Sequence, residues 1–182
     1  MNRTLQLVKG RRKPRQIEIR AAQRTEARRI HTLIMSHLQE GHLLSREVEE
    51  LKRHATRFLV AVDRDRIIAC GELAPLSRNL AEIRSLVVDR QYRGSGVGRR
   101  LVEELREQAR LGGYDRLCVF AHQPAYFAHM GFSIVPHVWL PEKISTDCTS
   151  CALFRRCGQF AMLDDLELTR EIRTSQGLVA HA

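Results

Sequence analysis

With 182 residues, 43% of them apolar and 28% charged, and no unbroken apolar run of about eighteen, the chain reads as one domain able to bury a full core, and a membrane span is excluded. Its net charge of +9 points to anionic partners. The basic start lacks the apolar stretch of a secretory leader, so the expectation is a cytoplasmic protein whose five cysteines are thiols or metal ligands, not a disulfide frame.

Residues 1–15 hold Arg3, Lys9, Arg11, Arg12, Lys13 and Arg15 without one acid. They are read as a solvated, flexible tail, with nucleic-acid contact as the alternative. The domain is set at 16–166, with a second tail over 167–182. Ile17 to Arg20 alternates as a short strand does. Thr25 to Gly41 repeats apolar residues at helical spacing, with Thr25 as N-cap and Gly41 as terminator. A second helix is expected from Ser45 to His54, with Glu47, Glu49 and Glu50 near its positive end. Phe58 to Val62 and Ile67 to Leu73, separated by Asp63-Arg64-Asp65-Arg66, predict a hairpin.

A strand over Ala81 to Val88 then enters a glycine-rich turn, and a helix runs from Gly98 to Leu111 until Gly112-Gly113 stops it. Arg116 to Ala121 is apolar without alternation, as a strand covered on both faces is. Pro124 to Met130 reads as a short helix ended by Gly131, and Phe132 to Val135 and Phe160 to Leu163 are closing strands. The order predicts a mixed α/β sheet flanked by helices.

The turn reads Arg93-Gly94-Ser95-Gly96-Val97-Gly98-Arg99. Glycines let backbone N–H groups approach an anion closely, and the following helix adds about half a positive charge. The dinucleotide spacing GxGxxG fails because its third place falls on Arg99, and a P-loop fails for want of GK followed by Ser or Thr. What remains resembles the pyrophosphate loop of the GCN5-related N-acetyltransferases (GNAT), written (Q/R)xxGx(G/A). A βα turn without a ligand is the alternative. The resemblance covers about Ile17 to Asp165 and includes Tyr126-Phe127-Ala128-His129-Met130-Gly131-Phe132, which is similar to the family's aromatic-xxx-Gly-Phe element. It implies the acyl-CoA N-acyltransferase fold and acetyl-CoA as co-substrate. By this resemblance Leu86, Val87, Val88, Arg93, Gly94, Ser95, Gly96, Val97, Gly98, Arg99 and Phe127 touch the cofactor.

Leu140-Pro141-Glu142-Lys143-Ile144, followed by Asp147-Cys148, Cys151 and Cys157, resembles the tail of short bacterial N-acetylglutamate synthases, and Ala81 to Leu86 resembles their central strand. That implies acetylation of the α-amine of L-glutamate, the opening reaction of arginine biosynthesis. Long members carry an amino-acid-kinase-like domain in front, and none is expected within these 182 residues. An α-ammonium gives up its proton at lower cost than a lysine ammonium of pKa about 10.4, so a more modest base suffices.

Glu82, upstream of the loop, is the candidate base, direct or through water; a carboxylate paired with Arg84 or Arg78 is the alternative. The strand edge Leu86 to Val88 supplies an N–H for the oxyanion. Tyr126 is the candidate acid, although the family's tyrosine position holds Phe127 and one helical residue is about 100°. A dicarboxylate acceptor calls for arginines, and Arg84, Arg46 and then His122 are the candidates.

Cys148, Cys151 and Cys157, with Asp147 and His137 near them, leave zinc, an iron–sulfur centre, a reversible thiol pair or plain packing open, so no metal is assigned. Cys70 and Cys118 read as core thiols. Competing functions are acetylation of another amine, such as another amino acid or a protein N-terminus, and a non-catalytic acetyl-CoA-binding regulator. Acetyl-CoA and an amino acid, as small molecules, are the expected partners, no nucleic acid or membrane is expected, and a homodimer is left open.

Overall fold

The computed structural model describes residues 16–40, 43 and 45–167. Both predicted tails, apart from Glu167, lie outside these residues, as does the Gly41 terminator. Seven strands form one sheet in the order β1-β2-β3-β4-β5-β7-β6: β1 Ile17–Ala21, β2 Phe58–Asp63, β3 Arg66–Pro75, β4 Leu80–Val88, β5 Arg116–Ala121, β6 Ser133–Val135 and β7 Phe160–Asp165. Only β4 and β5 pair in parallel. The helices are α1 Ala27–Met35, α2 Val48–Arg53, α3 Val97–Leu111, α4 Pro124–Ala128 and α5 Pro141–Lys143, the last widening into a π-helical turn over Ile144–Cys148. Among the described residues no helix is long and apolar enough to cross a membrane.

Strand alternation feeds two cores. Leu59, Ile68, Ile83, Val119 and Met162 pack with Leu101, Val102 and Leu105 of α3, while Val60, Cys70 and Val87 pack with Ile30 and Ile34 of α1 and Leu51 of α2. Two helix starts differ from expectation. At α1 the cap is not Thr25: the Gln23 N–H donates to the Glu26 carboxylate at 2.8 Å, and Arg20 anchors that carboxylate at 2.7 Å. At α2 the helix begins at Val48, not Ser45, because Arg46 leaves the helical path to bond across to β3 and β4.

The central strand is irregular where it matters most. Ser85 takes a left-handed φ of 52°, and the register jumps from Cys70 opposite Val87 to Glu72 opposite Arg84, so Gly71 faces both Ser85 and Leu86. A Cβ on Gly71 would come 2.9 Å from Leu105 Cδ1 and 3.2 Å from Leu86 Cδ1, so a larger residue there would have to displace both leucine side chains. Because side chains alternate with period two, the extra residue reverses the faces. Glu82 and Arg84 point away from α3, whereas Leu86 and Val88 pack toward it.

The far end of the sheet is tied by a buried ion pair. Arg106 Nε of α3 donates to Asp164 Oδ2 of β7 at 2.6 Å, with side-chain exposures of 4% and 2%. Its Nη2 donates to the Met130 carbonyl at 2.6 Å, and the guanidinium lies 5.2 Å from the Phe132 ring centroid. Arg106→Ala would leave Asp164 buried without this partner and should lower unfolding stability by about 3–5 kcal/mol. Urea denaturation checks this, and an unchanged midpoint would show the pair to be idle.

Candidate active site

The site begins where two neighbouring strands part. β4 and β5 pair only from Leu80 opposite Arg116 to Ile83 opposite Val119, yet β4 continues to Val88 and β5 to Ala121. Beyond Ile83, β4 stays with β3 and β5 stays with β7, so a wedge opens and no strand pairs with the β5 side of Arg84 to Val88 among the described residues. Leu86, Val87 and Val88 form this edge.

At the wide end of the wedge the chain turns through Arg93-Gly94-Ser95-Gly96 into α3. Gly94 and Gly96 have φ of 76° and 83°, and a Cβ on either would meet nothing within 4 Å. The backbone conformation demands glycine, and the outward space stays open for a ligand. The first N–H groups of α3 lack helical partners, as they do at helix starts that receive anions. Tyr126 leans across this start: a Cβ on Gly98 would lie 3.0 Å from its hydroxyl and 3.2 Å from Val88 Cγ2. Tyr126 therefore reaches the wedge, whereas Phe127 is buried in the core against Phe132, with ring centroids 5.6 Å apart.

The arginines of the loop already have partners. Arg99 Nε bonds Glu103 at 2.9 Å along α3. Arg93 Nε donates to the Val88 carbonyl at 3.2 Å, and its Nη2 meets Glu40 Oε2 at 2.8 Å. Arg90 Nε meets the same carboxylate at 2.8 Å. Arg90 first, and then Arg93, hold the Glu40 carboxyl down to about 2.

On the face of β4 away from α3 lies a charged cleft of about 450 Å³, bordered by Arg46, Glu50, Glu82, Arg84, Lys143 and Asp147. Glu82 is 2% exposed, and Lys143 Nζ sits 2.8 Å from each of its oxygens. Burial raises the Glu82 pKa, which the Lys143 ammonium only partly opposes. Burial works against the Lys143 ammonium too, but Glu82 and Asp147 outweigh it and its pKa is raised. Lys143 also meets Asp147 at 2.7 Å, Asp147 approaches Arg84 at 3.5 Å, and Arg84 and Arg46 share Glu72 at 3.0 and 2.9 Å. Charges thus alternate from Glu50 through Arg46, Glu72, Arg84, Asp147 and Lys143 to Glu82.

Of the sequence candidates, Glu82, Arg84 and Arg46 meet in this cleft. His122 does not: it borders a separate hollow of about 220 Å³ with Tyr126 and Phe127. Glu72, Lys143 and Asp147 were missed as site residues. A lone carboxylate in the apolar run of β3 was a signal for Glu72, and the i,i+4 spacing of Lys143 and Asp147 was a weaker one.

Cys148, Cys151 and Cys157 border an adjoining cavity of about 360 Å³ with Phe120, Ile144 and Phe154. Among the described residues no three His, Cys, Asp or Glu side chains are grouped to hold a metal ion. Cys70 and Cys118 are buried thiols, and burial pushes Cys70 up to about 12.

The chain as a whole has relatives among known proteins. The model of the acetyltransferase (GNAT) family matches residues 19–132. The chain belongs to the GNAT family. An uncharacterized N-acetyltransferase of Chlorobaculum tepidum is 32% identical over 148 residues, covering 81% of this chain and 96% of that protein. An amino-acid acetyltransferase of Edwardsiella ictaluri is 32% identical over 129 residues, but the match spans 69% of this chain and only 29% of the relative. Among solved structures, N-acetylglutamate synthase from Neisseria gonorrhoeae, complexed with coenzyme A and N-acetyl-glutamate, superposes with a TM-score of 0.75 at 26% identity, over 85% of this chain and 36% of that one. A Mycobacterium tuberculosis protein in complex with CoA and NLQ shares the fold, with a TM-score of 0.70 at 24% identity.

In this GNAT domain the Glu40 contact can be read directly. Carbon NMR should give Glu40 a titration midpoint of about 2. Arg93→Gln should move that midpoint up toward the ordinary range near 4.3. The contact's share of stability is complete above the ordinary range and fades as pH falls through the depressed value.

Proposed function

We propose that the chain transfers acetyl from acetyl-CoA to the α-amine of L-glutamate. The observation that carries this reading is the meeting of a buried carboxylate, Glu82, with Arg84 and Arg46 in one cleft beside the β4–β5 wedge. The pyrophosphate belongs at Gly94 to Gly98 and the α3 N-terminus, and the acyl arm in the wedge. Similarity to proteins named amino-acid acetyltransferase and N-acetylglutamate synthase supports the acceptor.

Glu82 accepts a proton from the acceptor ammonium as Lys143 shifts toward Asp147. A carboxyl raised by burial is a better base than an exposed one. An N–H on the unpaired edge of Leu86 to Val88 stabilises the oxyanion, and Tyr126 donates to the leaving thiolate. Arg84 takes an acceptor carboxylate, and Arg46 adds positive charge along the same cleft. A second reading, an amino acid with an uncharged side chain, is favoured by the cleft's charge balance: Arg46, Arg84 and Lys143 are offset by Glu50, Glu82 and Asp147.

A thiol-release assay with acetyl-CoA and a panel of amino acids tests this, with turnover of glutamate expected. Turnover of lysine or spermidine without turnover of glutamate would overturn the glutamate reading, and tight CoA binding without any turnover would favour a regulator. Gly96→Val should abolish acetyl-CoA binding, because valine resists the left-handed backbone and projects into ligand space; unchanged calorimetric affinity would refute the loop assignment. Glu82→Gln should lower kcat on the order of 10²-fold at pH 7, and the deficit should shrink as pH rises and the acceptor ammonium loses its proton without help. A pH-independent deficit would remove Glu82 from the base role.

A further inference from the structure

Glu72 lies on β3 directly opposite Arg84 and is fully buried, at 0% exposure, in a run that is otherwise apolar from Ile67 to Ala74 apart from Gly71. A carboxylate there costs several kcal/mol of desolvation unless it is paired and hydrogen-bonded. Its two oxygens are used unequally. Oε2 accepts from Arg46 Nη2 at 2.9 Å and from Arg84 Nε at 3.0 Å. Oε1 accepts no hydrogen bond among the described residues and faces His54 Nδ1 at 3.6 Å.

Counting donors separates the two arginines. Arg46 is engaged through all three nitrogens: Nε and Nη2 reach Glu50 at 3.1 and 2.7 Å, Nη2 also reaches Glu72, and Nη1 reaches Ser85 Oγ at 3.1 Å. Arg84 is held closely only through Nε, and its nearest other partner is Asp147 Oδ2, 3.5 Å from Nη1. The pair of terminal nitrogens that binds a carboxylate side by side is therefore committed in Arg46 and available in Arg84.

We propose that Glu72 is a positioning residue that divides the work of the two arginines, fixing Arg46 as a strut between α2 and the β4 bulge and aiming the Nη edge of Arg84 at the acceptor's carboxylate. This rests on the reading of the cleft as an amino-acid site. Glu72 touches neither substrate; it acts by holding Arg84 at Nε. An amide at position 72 keeps the shape but removes the negative charge that the two guanidinium groups share at Oε2, so the hold on Arg84 is weakened without a cavity.

The test is steady-state kinetics with glutamate and acetyl-CoA on the full chain, its Glu72→Gln and Arg84→Lys variants and the double variant, with thermal melting of each. Glu72→Gln should raise the KM for glutamate about tenfold or more, leave the KM for acetyl-CoA within about twofold and kcat within about threefold. The double variant should be no worse than Arg84→Lys alone, because Glu72 works through Arg84. An unchanged KM for glutamate, an equal rise in both KM values, or additive effects would overturn the proposal.

Should Glu72→Gln not fold, Arg46→Lys and Arg84→Lys decide. The proposal expects the first chiefly to lower the melting temperature and the second chiefly to raise the KM for glutamate, and the reverse pattern refutes it. If the unaltered protein acetylates no α-amino acid, the reading of the cleft falls and this one with it. If it acetylates glutamate and Glu72→Gln matches it, only the role of Glu72 falls.

Discussion

One residue held out of register in the central strand gives the site its two compartments. With Ser85 inserted against Gly71, β4 shows Glu82 and Arg84 to one side of the sheet and Leu86 and Val88 to the other. Continued alternation would have set two aliphatic side chains beside the charged cleft, and it would have taken them away from α3. The bulge is also where β4 and β5 have just separated, so the charged face and the unpaired backbone edge adjoin. Left-handed geometry at a non-glycine residue is uncommon and persists where its surroundings over-determine it. Here Gly71 gives room beneath the bulge, and Arg46 bonds the Ser85 hydroxyl from above.

Around this strand the charges are arranged as a network rather than as separate pairs. Every anion from Glu50 to Glu82 has a cation within 4.0 Å, which is how four carboxylates are kept close to an apolar sheet. The network also links segments far apart in sequence: Arg46 before α2, Glu72 on β3, Glu82 and Arg84 on β4, and Lys143 and Asp147 around α5. At the opposite end of the sheet the Arg106–Asp164 pair, closed off from water, joins α3 to β7.

Local pattern carried the element order well. The β2–β3 hairpin, the Gly112-Gly113 stop and β5 over Arg116–Ala121 follow from apolar runs and their punctuation, and the glycine turn was legible because its spacing excludes two other phosphate loops. What escaped depends on distance along the chain. Glu72 finds Arg46 across 26 residues, and Lys143 finds Glu82 across 61, so no window of sequence contains either pair. Ser85 carries no mark of a bulge, since serine is ordinary in a strand. The Thr25 cap was displaced by the Gln23–Glu26 arrangement, because Arg20 on β1 anchors Glu26. His122 follows β5, as expected of a residue near the wedge, yet it falls in the hollow beside α4 and not in the charged cleft.

The prior pairing of Glu82, Arg84 and Lys143 makes occupation of the cleft an exchange. A charged molecule entering it trades hydrogen bonds with Asp147 or Lys143 and gains only the difference between new and displaced contacts. Discrimination then comes from the spacing of the ligand's groups more than from the sign of their charge. The +9 charge of the whole chain acts on a separate quantity, the rate at which anions arrive. Added salt would slow that encounter while leaving the exchange inside the cleft comparatively untouched.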